Sequence, residues 1–372
     1  DKICGLLHAG KHGAHARRVM DSYERWFEGK PELDILRIMG LFDRPAEGSA
    51  IRAVKAPPAI KGLTEQLQGL SGEDWHYAVS NLREVRLLEP LDPDQPETLD
   101  CHPLIREHFG EKLKATNPAA WGEAHSRLYE YFKSHAKELP DTIEEMAPLY
   151  AAVTHGCQAG RHQEALDEVY YRRIQRGGEF FSTKKLGAIG AELAALANFF
   201  DPPWDKPVAA LREADKGYVL NVVGFHLRAL GRLAEAAQPM RAALEGGIAL
   251  GDWKNAAIQA SNLSELYLTM GDLPQAIQHA RQSVELADRS GDEVQQMGKR
   301  TTLADALHHG GRVSEAEALF REAEEMQKQD EPQYPLLYSL RGFQYCDLLL
   351  GQGKYKEVLD RASQTLDWSK AL

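Results

Sequence analysis

The chain has 372 residues, of which 43% are hydrophobic and 27% charged, and its formal net charge is −11. This length favours two or three domains, and the composition is that of a globular protein rather than a disordered one. The negative charge argues against nucleic-acid binding by the chain as a whole, because affinity for phosphates depends on lysine and arginine. No apolar run approaches the roughly 18 residues that cross a bilayer, so no membrane segment is expected.

The amino end has no charged segment followed by a long apolar core, so a signal peptide is not expected. The sequence does not begin with methionine, which suggests that it belongs to a longer protein. Its four cysteines are far apart and form no Cys-x-x-Cys pair, which indicates neither a disulfide framework nor a zinc ribbon. These are Cys4, Cys101, Cys157 and Cys346. We therefore expect a reducing, cytoplasmic location.

Residues 1–29 are predicted to be a lead rich in glycine and histidine followed by a helix, the end of an upstream helical domain or a linker. Residues 5–12 fall one position short of a phosphate-binding loop, because the hydroxyl that would bind Mg²⁺ is missing. His8, His12 and His15 could share one helix face as metal ligands, but the glycines among them disfavour a helix. No metal site and no bound cofactor are therefore expected in this chain.

Residues 30–115 are predicted to form a winged-helix module. Ser71 is a candidate N-cap, followed by acidic residues in the first turn of a helix. In order, the pattern predicts a helix at 33–42, a short apolar segment around 63–70, a helix at 72–84, a hairpin of strands at 85–91 and 98–101, and a helix at 104–113. Acidic residues outnumber basic ones in this module, so DNA binding by it is not expected.

Residues 116–207 are predicted to be a helical linker domain. Gly160 starts a degenerate copy of a pattern that is clearer further along the chain, and the prolines of 201–207 end the helices. Residues 208–372 are predicted to form a solenoid of helical pairs. There, Gly231, Gly271 and Gly311 begin the same pattern, Gly-charged-apolar-x-Glu/Gln-Ala, at intervals of 40 residues.

A looser copy of the pattern begins at Gly353. Small residues stand seven before, five after and twelve after each of the four glycines, which lets two paired helices approach closely. They are Gly224, Ser264, Ala304 and Cys346; Ala236, Ala276, Ala316 and Val358; and Ala243, Ser283, Ala323 and Thr365. No polar capping helix follows the fourth copy. A solenoid normally needs such a cap, so further repeats are expected beyond the last residue.

These spacings resemble the tetratricopeptide repeat, with a period longer than the usual 34 residues. The resemblance implies a mainly α fold whose inner face, built by the first helix of each pair, binds a protein or peptide. Carrying the spacing over predicts these protein-binding residues: Tyr218, Asn221, Phe225, Arg228, Ile258, Ser261, Glu265, Leu268, Gly298, Thr301, Asp305, His308, Leu340, Phe343 and Asp347. Their mixture favours a partner with apolar anchors and some lysine or arginine. Alternatively, many of them are solvated or pack against another domain.

His102 stands between the predicted hairpin and the following helix. This placement resembles the Met-His-Asp motif of NB-ARC-type signal-transduction NTPases, the STAND class, with Cys101 and Pro103 in place of the methionine and aspartate. In that family the histidine lies against the phosphates of bound ADP. The resemblance implies that His102 senses nucleotide, that ADP or ATP is held by a parent protein, and that an upstream NTPase core is a partner. An alternative role for His102 is to stabilise the turn.

The leading hypothesis is the sensor and regulatory arm of a bacterial STAND NTPase, which binds a protein trigger through the repeats and oligomerises when activated. The first alternative is a free-standing tetratricopeptide scaffold, and the second is the repeat arm of a transcription activator. The sequence contains no Gly-x-Ser-x-Gly elbow and no recognisable catalytic constellation, so an enzymatic site is not expected within the chain.

Overall fold

The computed structural model describes residues 11–371, with side chains for residues 17–370. The chain divides into two compact units, the first ending at Asn198 and the second beginning at Phe199. Within the described residues the regular structure is helical, and β-pairing is limited to two isolated bridges. The prediction of a mainly α fold is confirmed. No helix in the described part of the chain is both long and apolar enough to cross a membrane.

Ten α-helices lie in the described part of the first unit, from residue 11 onward. They are α1 (Lys11–Trp26), α2 (Pro31–Met39), α3 (Gly48–Lys55), α4 (Gly72–Glu84), α5 (Pro103–Thr116), α6 (Pro118–His135), α7 (Ile143–Gln158), α8 (His162–Glu164), α9 (Phe181–Lys184) and α10 (Ile189–Leu196). Short 3₁₀ turns occupy Glu65–Leu67, Gly177–Glu179 and Ala197–Phe199, and a π-helical stretch, Ala165–Ile174, continues α8.

The first core is centred on α2, which packs against α4 and α5. Pro31 at its first position and acidic residues in its first turn favour its start there. At its carboxyl end α2 meets α5 backbone to backbone: a Cβ on Gly110 would lie 2.5 Å from the Gly40 carbonyl oxygen. No side chain fits between these helices, so both positions require glycine.

The predicted cap of α4 is confirmed. Ser71 Oγ accepts the main-chain N–H of Asp74 at 3.1 Å. By contrast, α3 has no counterpart among the predicted helices. It is only eight residues long, and its buried residues, Ala50, Ile51 and Val54, are too few to establish a helical period. Packing against α6 holds this short helix in place.

The prediction of two paired strands at 85–91 and 98–101 is wrong. After α4 the chain turns back on itself through Arg86, which has a φ of 58°, and the N–H groups of Leu87 and Leu88 both donate to the Leu82 carbonyl. One main-chain bond joins the two segments, from Glu89 N–H to Asp100 O at 2.8 Å. The isolated bridge of Leu99 is to Ala46 instead. The winged-helix assignment of residues 30–115 therefore stays a prediction, without its strand pair.

Two buried histidines join α6 and α7. His125 and His155 face each other with 2.8 Å between their Nδ1 atoms, so one ring donates the hydrogen bond and the other accepts it. The His155 ring also stacks on Phe132. Burial lowers the pKa of His155 to about 4, and burial likewise lowers the pKa of His125, with the neighbouring His155 adding to the effect. Both rings are therefore neutral at physiological pH.

The degenerate repeat predicted at Gly160 corresponds to the pair formed by α7 and the α8–π segment. Gly160 takes a φ of 78° in the turn, and Ala165, five residues later, is fully buried. Arg173 of the π stretch donates to the carbonyls of Lys133, Ala136, Lys137 and Glu138. The guanidinium thus binds one carbonyl in the last turn of α6, where helical partners are missing, and three carbonyls of the segment that follows the helix.

Four helical pairs lie in the second unit as far as the structure describes it, to residue 371. They are α11 (Glu213–Ala229) with α12 (Leu233–Ala249), α13 (Trp253–Thr269) with α14 (Leu273–Ser290), α15 (Glu293–His309) with α16 (Val313–Asp330), and α17 (Ser339–Gly351) with α18 (Tyr355–Ala371). The predicted proline corner at 201–207 precedes them, closed by the bridge between Phe200 and Pro207. The helices of each pair pack against each other and against the following pair.

The turn glycines of the four pairs have the conformation that the pattern predicts. Gly231, Gly271, Gly311 and Gly353 all take a φ between 73° and 79°. In each copy the next residue donates its N–H to the carbonyl five positions before it, as from Arg232 to Leu227 at 2.9 Å. This is the Schellman ending of a helix, in which a left-handed residue lets the last carbonyls find partners.

The predicted small residues lie in the seams of the first three pairs. All nine are buried, and a Cβ on Gly224 would collide with Met240. The fourth pair differs, since Cys346, Val358 and Thr365 are only half-buried. The side of α18 that carries Tyr355, Leu359 and Leu366 is exposed.

Candidate functional site

The candidate site is the face formed by the first helices of the four pairs, α11, α13, α15 and α17. Contacts between the backbones of successive first helices are closer than those between successive second helices. The first helices therefore lie on the inner side of the array, which we call the inner face. This is where the repeat spacing places the predicted protein-binding residues.

Polar side chains bridge neighbouring first helices along the inner face. Arg228 Nη1 of α11 lies 2.9 Å from Glu265 Oε2 of α13, and Asn262 Nδ2 donates to Asn221 Oδ1 at 3.4 Å. Both bridges join positions about one repeat apart, so they show that successive first helices are in register. Three of the predicted residues, Asn221, Arg228 and Glu265, are brought together here.

Two predicted contact residues are buried and support the face from below. Ser261 is 4% exposed and Thr301 is 2% exposed. Ser261 Oγ accepts a hydrogen bond from Lys299 Nζ at 3.1 Å, and Thr301 Oγ1 donates to the Gly298 carbonyl at 2.8 Å. These side chains are too deep to meet a partner directly. The repeat spacing predicts which face of the helix these residues share. It does not predict how deeply each side chain is buried.

Lys299 is the charged residue that the repeat spacing did not assign. Its ammonium group lies between α13 and α15, and burial lowers its pKa to about 8, although the charge of Glu265 opposes that shift. The Arg341 guanidinium approaches the same region, where it lies 3.1 Å from the position of a Cβ on Gly298. The centre of the inner face is therefore basic, while its Glu265 edge is acidic.

Apolar side chains are exposed at both ends of the inner face. Phe225 is 44% exposed on α11, and Phe343 and Leu340 are 69% and 60% exposed on α17. The remaining apolar or aromatic positions of the prediction, Tyr218, Ile258 and Leu268, are half-buried. A single exposed apolar residue is common on protein surfaces. Two exposed phenylalanines, Phe225 and Phe343, on one predicted binding face are suited to anchor a partner.

The carboxyl end of the inner face carries a cluster of charged residues. Asp305 and His308 of α15 lie close to Asp347 of α17, with 3.6 Å between His308 Nδ1 and Asp347 Oδ2. His309, adjacent in the chain, belongs to the same cluster. Both histidines occupy the last turn of α15.

An aromatic cleft that sequence reasoning missed lies near the end of the second unit. Its volume is about 570 Å³, and its aromatic lining residues are Tyr334, Tyr338 and Trp368. Tyr334 and Trp368 meet edge to face, with 5.2 Å between ring centroids. The tyrosines fall in the irregular segment between α16 and α17, outside the repeat pattern, so spacing alone could not pair them with Trp368.

His102 caps α5 in the first unit. Its Nδ1 accepts the main-chain N–H of Leu104 at 3.2 Å, and the residue is exposed. Beside it, Arg106 forms an ion pair with Asp100. Because Nδ1 accepts this bond, the neutral ring carries its proton on Nε2, which can donate to a phosphate oxygen. The geometry agrees with the turn-stabilising role and leaves the nucleotide role a prediction. Residues 5–10 of the phosphate-loop-like segment and the side chains of His8, His12 and His15 lie outside the described residues.

Comparison with known proteins adds little to these observations. No protein-family model matches the chain, and no curated protein matches it. Among solved structures, a STAND protein with a tetratricopeptide repeat sensor from Pyrococcus horikoshii is similar at 15% identity and a TM-score of 0.39, over 93% of this chain. The chain spans about half of that protein, 52% of its length.

A second similar structure is a Podosopora anserina putative kinesin light chain with nearly identical tetratricopeptide-like repeats, at 14% identity and a TM-score of 0.35. The match covers 60% of this chain and 92% of that one. Likenesses this distant carry no functional argument. Helical pairs, glycine turns and buried small residues define the repeats of this chain.

Proposed function

We propose that the chain binds a protein partner along the inner face of its helical repeats. The observation that carries this proposal is the combination, on one face, of exposed Phe225 and Phe343 with charged side chains that bridge successive repeats. Protein interfaces concentrate binding energy in a few aromatic anchors surrounded by polar groups. A stack of helical pairs supplies such anchors on an extended surface.

The charges of the inner face indicate the chemistry of the partner. Glu265 pairs with Arg228, whereas Asp305 and Asp347 are half-buried at the carboxyl end beside two histidines. A partner with apolar side chains for the two phenylalanines and lysine or arginine for the carboxylates would match this arrangement.

The test is capture of partners by the full chain, with bound proteins quantified by mass spectrometry. Phe225→Ala and Phe343→Ala should each reduce capture of the specific partner by about tenfold or more, the size expected for anchor residues. Tyr77→Ala is the matched control, because Tyr77 is a 74% exposed aromatic residue on α4 of the first unit. Undiminished capture by both phenylalanine variants would place the interface elsewhere.

We further propose that the chain serves as the sensor arm of a STAND-type signalling NTPase. The support is the order of helical module followed by repeats, together with an exposed histidine at the start of α5. In this proposal the trigger binds one conformational state of the parent more tightly than the other, because only differential affinity shifts an equilibrium. The nucleotide and the NTPase core belong to the parent protein.

The sensor-arm proposal is tested first by the complete reading frame, which must encode a nucleotide-binding core. In the intact parent, His102→Ala and His102→Asn should both weaken ADP retention. Asparagine is the informative variant, since it can still cap α5 but has no imidazole to meet a phosphate. If His102→Asn retains ADP as the wild type does, His102 is a capping residue, and the free-standing scaffold becomes the better description.

A further inference from the structure

Two imidazoles and two carboxylates come together at the carboxyl end of the inner face. Asp305, His308 and His309 are separated by three and four positions on α15, so their side chains share one side of the helix. One ligand atom of each lies within 4.8 Å of the others. Asp347 of α17 approaches this group of three from the side of His308, with its Oδ2 3.6 Å from His308 Nδ1.

The separation of His308 and Asp347 fits a shared metal ion better than a hydrogen bond. A distance of 3.6 Å exceeds the range of a nitrogen–oxygen hydrogen bond. Two ligand atoms that each lie about 2.1 Å from a tetrahedral ion are about 3.4 Å apart. A shift of a few tenths of an ångström would therefore bring both atoms to one cation.

One ring nitrogen of His308 makes no hydrogen bond to the described residues. Its Nδ1 is buried and has no hydrogen-bond partner among the described residues. Leaving a buried polar atom unpaired costs free energy, which a metal ion in contact with its lone pair would recover. The His308 ring as a whole remains accessible, because its side chain is 18% exposed.

The surrounding groups orient the remaining members of the cluster. Gln344 of α17 lies beside Asp305, where it favours the charged carboxylate and so opposes the rise in the Asp305 pKa that burial causes. His309 Nδ1 lies 3.0 Å from the Asp305 carbonyl oxygen, which holds that ring beside the Asp305 carboxylate. Hydrogen bonds of this kind commonly fix the orientation of metal ligands.

We propose that Asp305, His308, His309 and Asp347 form a binding site for a divalent transition-metal cation of the zinc type. Imidazole together with carboxylate suits zinc, cobalt and nickel, whereas magnesium and calcium prefer oxygen ligands alone. The cation would also relieve the repulsion between the two carboxylates. Sequence reasoning assigned no metal here, because only the packing of α17 against α15 brings Asp347 to the other three residues.

A cation at this position would give the inner face a site that accepts an oxygen or nitrogen ligand from a bound protein. This consequence depends on the proposed partner binding. The metal site itself does not depend on partner binding, since its four residues belong to this chain. Metal binding and partner binding can therefore be tested in separate measurements. Metal affinity is determined on the chain alone, and partner capture is measured with and without a chelator.

The experiment is calorimetric titration of Zn²⁺ into the full chain, prepared without an affinity tag and stripped with a chelator. One saturable site is expected. His308→Ala and Asp347→Asn should each weaken affinity by at least about tenfold, a loss typical even of outer-shell residues. His135→Ala is the matched control, an exposed histidine at the end of α6, and should bind as the wild type does. Substituted Co²⁺ should give a visible absorption band that both ligand variants diminish.

Three outcomes would overturn the proposal. They are no saturable Zn²⁺ binding, unchanged affinity in both ligand variants, and Mg²⁺ binding as tight as that of Zn²⁺, which would indicate an acidic patch only. Circular dichroism verifies that the variants fold. Should His308→Ala unfold, Asp347→Asn decides alone, since Asp347 has a 48% exposed side chain whose change to an amide leaves the packing intact. If Zn²⁺ binds but partner capture is insensitive to the phenylalanine variants, the metal site stands and the proposed function fails.

Discussion

The two units bring helices into close contact in different ways. In the repeats, small residues recur at constant distances from a glycine turn, and the same three seam positions are buried in each of the first three pairs. In the first unit the closest approach joins Gly40 to Gly110, and no pattern in the sequence relates them. Repetition makes a packing contact visible in the sequence, whereas a single contact between distant residues becomes visible only in the structure.

The last pair provides an internal contrast to the other repeats. Its turn glycine and Schellman hydrogen bond match theirs, but its seam residues are larger or polar and only half-buried. The turn is a local feature that depends on one glycine. The burial of the seam residues depends on the helices that pack against them from both sides. This burial therefore changes from pair to pair along the array.

The largest expected effect is overpacking of a regular seam. Ala276→Leu adds three carbons where the side chain is fully buried against α13, and it should lower the free energy of unfolding by about 3 kcal/mol. Val358→Leu introduces the same side chain at the equivalent position of the last pair, where it adds one carbon to a half-buried residue and should cost less than about 1 kcal/mol. Urea unfolding of both variants measures the difference. Equal losses would contradict the contrast between the pairs.

The next effect concerns the crossing of α2 and α5. Gly110→Ala should destabilise the first unit by about 2 kcal/mol, because its new Cβ would meet the Gly40 main chain and force the helices apart. Gly122→Ala in α6 is the control, since a Cβ there would have no neighbour within 4 Å. That substitution should stabilise its helix by up to about 1 kcal/mol. Thermal unfolding tests both, and a neutral Gly110→Ala would show that the crossing can relax.

Acid should weaken the contact between α6 and α7. The pKa of His155 is about 4 in the folded protein, below its unfolded value of about 6.5, so the unfolded chain binds the proton first. Stability from the neutral ring is complete above pH 6.5 and declines as the pH falls from there towards 4. The loss is about 1.4 kcal/mol per pH unit for this histidine.

Hydrogen exchange of α6 and α7 between pH 7.5 and 5 measures this slope. His155→Gln should flatten it, because glutamine does not titrate in this range. His76→Gln, at an exposed histidine of α4, should leave the slope unchanged. A slope that is the same in all three proteins would mean that the buried pair takes up its proton without cost.

The smallest effect is expected on the inner face. Arg228 and Glu265 are 26% and 34% exposed, and pairs of this kind typically contribute about 0.5 kcal/mol. A double-mutant cycle with Arg228→Ala and Glu265→Ala should give a coupling of that size that shrinks at high salt. A coupling above about 2 kcal/mol would show that the bridge, rather than the small-residue seam, holds successive first helices together.

Sequence reasoning succeeded where one residue type imposes a conformation or where a contact recurs. The sequence predicts Ser71 as the cap of α4 because its hydroxyl can accept an early N–H, and the structure has that bond. The hairpin prediction failed because alternating apolar residues resemble a strand, yet Leu87 and Leu88 turn back to α4. Their burial, at 2% and 3% exposed, is equally compatible with either conformation.

The candidate site shows the same division. Repeat spacing placed Phe225, Asn221 and Asp305 on the inner face, because helical position follows from the period. It did not separate the exposed Phe343 from the buried Thr301, since depth depends on the neighbouring helices. It also missed Lys299, whose burial results from two flanking helices.

By itself, the sequence determined the helical character of the chain, the position of the repeat turns and the small residues of the first three seams. These three features depend on local conformation and on periodicity, and both follow from residues that are close together in the sequence. Tertiary structure decided the meeting of Gly40 with Gly110, the His125–His155 pair and the cluster of Asp305, His308, His309 and Asp347. The first two contacts unite residues from different helices. In the third, the period of α15 already groups Asp305, His308 and His309, and only the packing of α17 adds Asp347.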